Sequence, residues 1–331
     1  RPAGSVCSPT GERRAEIGPD EPYDQIVDTQ VQLTNRHGET LAANWRLGDG
    51  TVGSAGSTVL LCQGLSGVRN LVLPEVAETL AAVGISTLRF DYSGCGDSEG
   101  ARGWIDPNKR VEDARAAFSW LATQPGVDPT RLGVYGHSYG GPVAMSVAAA
   151  EPTVRAVVAV SSPGSGVDLL RAARPSWDWV KLRHRVEAER ATVARGVTPT
   201  VVPVDTIFPF SPAFREAYEK LKATQGGTSA MPGTDGLGKT EFYLASVDLM
   251  CSHRLEPVAA RLSHCATLLI NGADDDTAPI EILKPVFDVI PGPKRWHIVA
   301  GADHNALDTN PGLAQALSQA ADWFTTEFAR W

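Results

Sequence analysis

The sequence has no apolar run long enough to cross a membrane and no basic cluster long enough to track the phosphates of a nucleic acid. Apolar stretches such as AAFSWLA and AMSVAAA fall well short of the roughly 18 residues that a membrane-spanning helix needs. Lys and Arg total 30 against 38 Asp and Glu, which gives a net charge of −8. Proteins that bind nucleic acid usually carry a basic patch. We therefore expect neither a membrane nor a nucleic acid as a partner.

Cysteine is also scarce, with an odd total of five. No two of them stand in CxxC spacing, and four lie among apolar or tightly turning residues: Cys62, Cys95, Cys251 and Cys265. This pattern argues against a zinc site and against a disulfide framework. We expect free, buried thiols in a reducing compartment, which favours the cytoplasm. No signal peptide is visible, but the first residue is Arg, so secretion stays open.

What the chain does have is a regular alternation of two patterns. Residues 1–22 are rich in Pro, Gly and charge and predict a flexible N-terminal arm. From residue 23, short apolar runs such as STVLLCQG and RLGVYG are each followed by segments of helical spacing. This alternation predicts an α/β fold, a doubly wound and mostly parallel sheet with helices on both faces.

The alternation stops between residues 164 and 262. Three helical patterns occupy this stretch, GVDLLRAARPSWDWVKLRHRVEAERATVARG, SPAFREAYEKLKATQ and TEFYLASVDLM, together with the loop GGTSAMPGTDGLGK. We interpret the stretch as a helical cap inserted after the sixth strand, with residues 23–163 and 263–331 forming the core. Small-molecule sites are largely apolar. The candidates for lining a substrate pocket are Trp177, Trp179, Phe208, Phe210 and Tyr243.

The motif GVYGHSYGG places Ser138 in a G-x-S-x-G pentad between a strand and a helix. A serine hydroxyl becomes a useful nucleophile only beside a base that a third group orients. The pentad alone also fits an ordinary glycine-rich turn. Two later strands end in GADDDTAP, with three aspartates, and in GADHNAL, with His304. Parallel strands bind ligands at their carboxyl ends, and the order Ser, Asp, His suits a catalytic triad.

Four motifs together resemble the α/β-hydrolase fold superfamily: QGLSG, FDYSGCGDSEG, GHSYGG and GADDDTAP…GADH. The pattern is most similar to bacterial serine hydrolases with a lid inserted after the sixth strand. The resemblance implies that Ser138 is the nucleophile and His304 the general base. The family's G-x-x-D-x-x-x-P pattern implies Asp275 as the acid, with Asp274 and Asp276 as alternatives.

The resemblance also implies an oxyanion hole made of two backbone N–H groups, those of Leu65 and Tyr139. The family often has His where Gln63 stands, a change that keeps the backbone donor but alters how the loop is held. The glycines of DYSGCGDSEG are expected to shape a turn beside the site, and we assign no chemistry to Asp91 or Asp97. His137 is expected to pack beneath the serine.

We therefore expect a serine hydrolase that cleaves an ester, lactone or thioester of a bulky hydrophobic small molecule through an acyl-enzyme. No metal or organic cofactor is implied. The same triad also serves acyl transfer, peptide cleavage, C–C bond hydrolysis, and natural-product cyclisation or elimination, because a fold does not fix a function. A non-catalytic small-molecule-binding protein is a second class of function. An amino-acid composition rich in Ala, Arg and Gly is typical of a high-GC bacterial source. The sequence leaves open whether the protein forms a homodimer.

Overall fold

A computed structural model describes residues 28–50, 56–65, 67–212, 215–216 and 241–331. The expected N-terminal arm and the loop GGTSAMPGTDGLGK lie outside the described residues, as does most of the segment SPAFREAYEKLKATQ.

A mixed eight-stranded sheet forms the centre of the protein. The strands in the described ranges are β1 (Thr29–Thr34), β2 (Thr40–Arg46), β3 (Thr58–Cys62), β4 (Ser86–Phe90), β5 (Leu132–His137), β6 (Val154–Val160), β7 (Val201–Pro203), β8 (Glu241–Tyr243), β9 (Ala266–Gly272) and β10 (Lys294–Val299). The order in the central sheet is β1-β2-β4-β3-β5-β6-β9-β10. The six strands from β4 to β10 in this order run parallel, and β1 and β2 add antiparallel pairs at one edge.

Helices cover both faces of this sheet. The helices of the described residues are α1 (Leu73–Ala82), α2 (Pro107–Ala122), α3 (Gly140–Ala150), α4 (Gly166–Ala172), α5 (Ser176–Val193), α6 (Val204–Ile207), α7 (Ser246–Ser252), α8 (Glu256–Ala259), α9 (Ile280–Val289) and α10 (Gly312–Phe328), of which α4 to α8 belong to the inserted segment. One apolar cluster joins the sheet to α2, α3 and α9, and another joins it to α1 and α10. The predicted α/β architecture is confirmed. Within the described ranges, no helix is long and apolar enough to cross a membrane.

Local chemistry explains why the central elements form where they do. All five residues of β3 are buried, as a continuous apolar run in a parallel sheet requires. At the start of α2, the Asp106 side chain accepts hydrogen bonds from the N–H groups of Asn108 and Lys109, and Pro107 occupies the first turn. This cap satisfies backbone donors that have no partner inside the helix. The cap thereby sets where α2 begins.

The inserted segment between β6 and β9 contains two short strands beside its helices, and the helical pattern predicted for TEFYLASVDLM was wrong for Glu241–Tyr243. Strands β7 and β8 form an antiparallel ribbon in which Val201 pairs with Tyr243. The Tyr243 N–H also donates to the Gly103 carbonyl at 2.8 Å. Of the described residues of TEFYLASVDLM, 241–250, only the part from Ser246 onward is helical. The aromatic pair in this stretch suits a strand, and its pairing partner lies about forty residues away, where a local helical period gives no warning of it.

Candidate active site

The turn between β5 and α3 holds Ser138 in a strained conformation, with a φ of 48° in the left-handed region. The Ser138 N–H donates to the Val160 carbonyl at 2.8 Å, and the Gly141 N–H donates to the Ser138 carbonyl at 2.9 Å. A Cβ atom added at Gly136 would lie 2.3 Å from the Gly140 carbonyl oxygen. The two glycines of the pentad therefore permit a turn that other residues would block.

Ser138, His304 and Asp275 form a continuous chain of hydrogen bonds across the carboxyl ends of β5, β9 and β10. The Ser138 Oγ lies 3.0 Å from the His304 Nε2, and the His304 Nδ1 lies 2.8 Å from the Asp275 Oδ2. The Asp275 Oδ1 accepts hydrogen bonds from the N–H groups of Thr277 at 3.0 Å and Ala278 at 2.7 Å. Both oxygens of the carboxylate are thus held, and the imidazole is held in turn.

The three aspartates of GADDDTAP differ sharply in their surroundings. Asp275 is buried, whereas Asp274 and Asp276 are exposed. The Asp274 N–H donates to the Ala302 carbonyl at 3.0 Å, and the Asp276 carboxylate accepts from the Thr277 hydroxyl at 3.3 Å. Asp275 is therefore the aspartate whose carboxylate meets the imidazole.

The environment of His304 acts on its pKa in two opposing ways. Burial disfavours the imidazolium and lowers the pKa, but the charge and hydrogen bond of Asp275 raise it, with a smaller contribution from Asp308. The balance leaves the pKa of His304 above its usual value of 6.5. The imidazole can thus accept a proton readily and hold it against the buried carboxylate.

The loop after β3 runs directly beside the serine. A Cβ atom added at Gly64 would lie 3.1 Å from the Ser138 Cβ and 3.6 Å from its Oγ. The next N–H belongs to Leu65, and the N–H after Ser138 belongs to Tyr139. Neither N–H donates a hydrogen bond to another residue in the part of the chain that is described. Two unpaired donors beside a serine hydroxyl are the arrangement that an oxyanion hole requires.

Gln63 holds this loop with both ends of its side-chain amide. Its Oε1 accepts from the Gly64 N–H at 2.6 Å, and its Nε2 donates to the Leu71 carbonyl. Gln63, which stands where the family often has His, therefore binds the backbone of the loop at two points.

Arg110 is a further contact of this loop that the sequence interpretation missed. Its Nη1 donates to the Gly64 carbonyl at 2.8 Å and its Nη2 to the Leu65 carbonyl at 2.9 Å. Arg110 lies on the buried stripe of α2 together with Ala114, Ala117 and Leu121. A charged residue on the apolar stripe of a helix was the sequence signal that could have pointed to it.

The other polar candidates contact structural partners. The His137 Nε2 lies 3.1 Å from Asp308, and Asp91 binds the buried side chain of Arg69. The exposed Asp97 binds the same arginine at 2.9 Å. These contacts organise the turns around the site.

The described cysteines are buried or half-buried thiols. Burial raises the pKa of Cys62 to about 12. Burial is also the largest cause of the raised pKa values of Cys95, Cys251 and Cys265. A raised pKa disfavours the thiolate, which is the reactive form of cysteine.

An apolar cluster joins the inserted segment to the residues that carry the two unpaired N–H groups. Tyr139 and Leu65 belong to it, as do the candidate pocket residues Trp179, Phe208 and Phe210. The rings of Phe208 and Phe210 stack with their centroids 6.0 Å apart. Apolar side chains of the insertion therefore lie against the proposed oxyanion hole.

The two other candidate pocket residues lie elsewhere. Tyr243 packs on Trp104 with a ring separation of 4.5 Å, and Trp104 lines a cavity of about 320 Å³ together with Lys109 and Arg110. Trp177 is 70% exposed on α5 and does not belong to the apolar cluster. The role of the five aromatic residues in substrate binding stays a prediction.

The sequence is similar to a known protein family and to several known proteins. Residues 53–309 match the family described as serine aminopeptidase, S33. The chain is 27% identical over 289 residues to thiohydrolase aneE of Aspergillus aculeatus, covering 84% of this chain and 87% of that protein. It is 28% identical over 306 residues to polyketide transferase claH of Penicillium crustosum, covering 89% and 96% of the two chains.

Among solved structures, the hypothetical protein PA2218 from Pseudomonas aeruginosa has the same fold, with a TM-score of 0.77 at 22% identity. The likeness covers 96% of this chain and 100% of that one. The family match spans well over half of the chain. This protein therefore belongs to the α/β-hydrolases of the serine aminopeptidase S33 family.

Proposed function

We propose that this protein is a serine hydrolase that cleaves an ester, lactone or thioester bond of a bulky hydrophobic small molecule through an acyl-enzyme. The observation that carries the proposal is the chain of hydrogen bonds from Ser138 through His304 to Asp275, at 3.0 Å and 2.8 Å. This arrangement supplies a nucleophile, a base and a group that orients the base.

In the first half of the reaction, the His304 Nε2 takes the hydroxyl proton as the Ser138 Oγ attacks the carbonyl carbon. Asp275 holds the imidazole in the required tautomer and stabilises the imidazolium that forms. The carbonyl oxygen becomes an oxyanion and accepts hydrogen bonds from the Leu65 and Tyr139 N–H groups. His304 then gives its proton to the departing oxygen or sulfur, and the acyl group stays on Ser138.

In the second half, a water molecule attacks the carbonyl carbon of the acyl-enzyme and loses a proton to the His304 Nε2. The same two N–H groups stabilise the second oxyanion. When this intermediate collapses, His304 returns the proton to the Ser138 Oγ and the carboxylic acid leaves. Ser138 and His304 end in the state in which they began.

The surroundings of the site favour a hydrophobic acyl group. Leu65 and Tyr139 pack in one cluster with Phe208 and Phe242 of the insertion. Each methylene that a substrate buries on such a surface contributes about 0.8 kcal/mol. Relatives named thiohydrolase and polyketide transferase support a polyketide-like acyl thioester as the first substrate to test.

A second candidate function is acyl transfer, which the relative named polyketide transferase supports. The acylation half is the same, but the hydroxyl group of an acceptor replaces water in the second half. Adding an alcohol to the assay separates the two functions, because a transferase forms the new ester in preference to the free acid.

The proposed hydrolase is tested with a panel of p-nitrophenyl esters and N-acetylcysteamine thioesters. We expect Ser138→Ala to lower kcat by about 10⁴-fold or more. Ser146→Ala is the matched control, because Ser146 also meets a buried histidine, His253, at 3.2 Å but lies inside α3. Full turnover by Ser138→Ala would contradict the proposal. A wild-type protein that binds these compounds without turnover and resists a fluorophosphonate probe would instead be a binding protein.

A further inference from the structure

We propose that Arg110 is a positioning residue that sets the orientation and donor strength of the oxyanion hole. This proposal rests on the proposed function, since the hole matters only if Ser138 attacks a carbonyl carbon. It assigns a role in the reaction to an α2 side chain that lies 28 residues before the nucleophile in sequence.

The first contact of Arg110 acts on the peptide group that carries one of the two donors. The Gly64 carbonyl and the Leu65 N–H belong to one planar peptide unit, so they point in opposite directions. The Arg110 Nη1 holds that carbonyl at 2.8 Å. The Leu65 N–H is thereby turned away from Arg110, and the unit cannot flip without breaking a charge-assisted hydrogen bond. A hydrogen bond to the carbonyl also polarises the unit, which makes its N–H a stronger donor.

The second contact pins the next peptide group as well. The Arg110 Nη2 donates to the Leu65 carbonyl at 2.9 Å, so one guanidinium fork spans two consecutive carbonyls. The Gly64 N–H is held from the other side by Gln63 at 2.6 Å. A lysine ammonium is a point charge and does not reproduce a planar two-pronged contact of this kind.

Arg110 also touches the residue that carries the other donor. Its guanidinium carbon lies 5.8 Å from the ring centroid of Tyr139 and 4.8 Å from that of Tyr92. These separations are within the range of cation–π attraction. One cation therefore contacts both Leu65 and Tyr139, although the loop after β3 and the turn after β5 are far apart in sequence.

Within the described part of the chain, no carboxylate forms an ion pair with Arg110. None of these residues provides Arg110 with a carboxylate oxygen within 4.0 Å, and Arg110 as a whole residue is only 4% exposed. Its neighbours on α2 differ, because Lys109 binds Glu39 at 2.8 Å and Arg115 binds Glu151 at 2.7 Å. A buried cation without a counter-ion is costly. On this loop, it favours the negative charge that develops when the oxyanion forms.

The test compares Arg110→Lys, Arg110→Gln and Arg110→Ala with Arg115→Ala, a control on the same helix whose ion pair is partly exposed. Loss of a whole oxyanion donor typically lowers kcat by about 10²–10³-fold, so we expect about 10- to 100-fold for an arginine that acts through the donor. KM should change little. The rate at which a fluorophosphonate labels Ser138 should fall with kcat, because the phosphoryl oxygen occupies the same hole. The pH profile should not move, since Arg110 does not contact His304 or Asp275.

Chemical rescue provides a readout that a merely structural role would not give. Arg110 lines the cavity of about 320 Å³ beside Trp104, which gives a small cation access to the vacated position in Arg110→Ala. Guanidinium ions at millimolar concentration should raise kcat of Arg110→Ala several-fold, and the same concentration of sodium chloride should not. Where Arg110→Ala does not fold, Arg110→Lys decides the matter by its kcat and its pH profile.

Wild-type kcat in Arg110→Lys and Arg110→Gln would overturn the inference, as would a loss of kcat that comes with a shifted pH profile. Failure of the proposed function gives a different result. In that case the wild-type protein is not labelled at Ser138, and Ser138→Ala turns over normally. If the wild-type protein is labelled at Ser138 and the Arg110 variants are labelled at the same rate, the proposed function stands and only the inference about Arg110 is wrong.

Discussion

At the scale of single residues, the Asp275 carboxylate is held by three hydrogen bonds. One oxygen meets the His304 Nδ1 at 2.8 Å, and the other accepts two backbone N–H groups. An amide in its place could present an N–H to Nδ1 and favour the wrong tautomer of the imidazole. We therefore expect Asp275→Asn to lower kcat by about 10⁴-fold in a steady-state assay.

Asp274→Asn and Asp276→Asn are the matched controls for this change. Both side chains are exposed and lie beside Asp275 in sequence, so each should keep kcat near the wild-type value. A loss in Asp274→Asn or Asp276→Asn comparable to that in Asp275→Asn would show that the acid has been misassigned.

The pH dependence of kcat/KM follows from the raised pKa of His304. Below that pKa the imidazole is protonated and cannot accept the Ser138 proton, so activity falls as the pH falls. Because Asp275 raises the pKa, we expect the acidic limb to have its midpoint above 6.5, and to move to lower pH in Asp275→Asn. An acidic limb that lies below pH 6 in the wild-type protein, measured with a substrate that does not itself titrate, would contradict this description of His304.

At the scale of elements, the turn between β5 and α3 depends on the close approach of two backbone segments. In Gly136→Ala the new Cβ would lie 2.3 Å from the Gly140 carbonyl oxygen. We expect this overpacking to cost about 3 kcal/mol of unfolding free energy and to displace Ser138. In the control Gly126→Ala, the new Cβ has no other atom within 4 Å. Only the backbone is strained there, because φ is 80°, and we expect the free energy of unfolding to fall by about 1–2 kcal/mol.

Urea unfolding gives the free energy of unfolding of both glycine variants. The kcat of each variant is measured on the folded protein. Equal losses of stability in the two variants, with normal kcat in Gly136→Ala, would show that the turn has room for a side chain.

The elements also show which parts of the site the sequence could predict. Ser138, Asp275 and His304 each follow a strand, so parallel alternation alone predicts that they meet at one edge of the sheet. Arg110 meets Gly64 across 46 residues, through the direction of α2, and no local pattern encodes that approach. Strand β8 was missed for the same reason, because its partner Val201 is distant in sequence.

At the scale of the whole molecule, the inserted segment and the core share one apolar cluster, which contains Tyr139 and Phe208. If the acyl chain binds against this cluster, kcat/KM should rise by about fourfold for each added methylene until the surface is filled. We expect Phe208→Ala to flatten this dependence in a series of acyl esters. Trp177→Ala should leave it unchanged, because Trp177 is 70% exposed. A preference for acetyl over longer chains would show that the cluster does not receive the acyl group.

The family match and the fold extend over most of the chain, but the proposed chemistry depends on one covalent bond between Ser138 and the acyl group. Intact-mass spectrometry of the protein, acid-quenched during turnover of an acyl thioester, tests this bond most directly. We expect a mass increase equal to the acyl group less the hydrogen that it replaces, located on the peptide that contains Ser138 and absent in Ser138→Ala. Turnover at the wild-type rate by Ser138→Ala, with no acyl adduct at any residue, would contradict it.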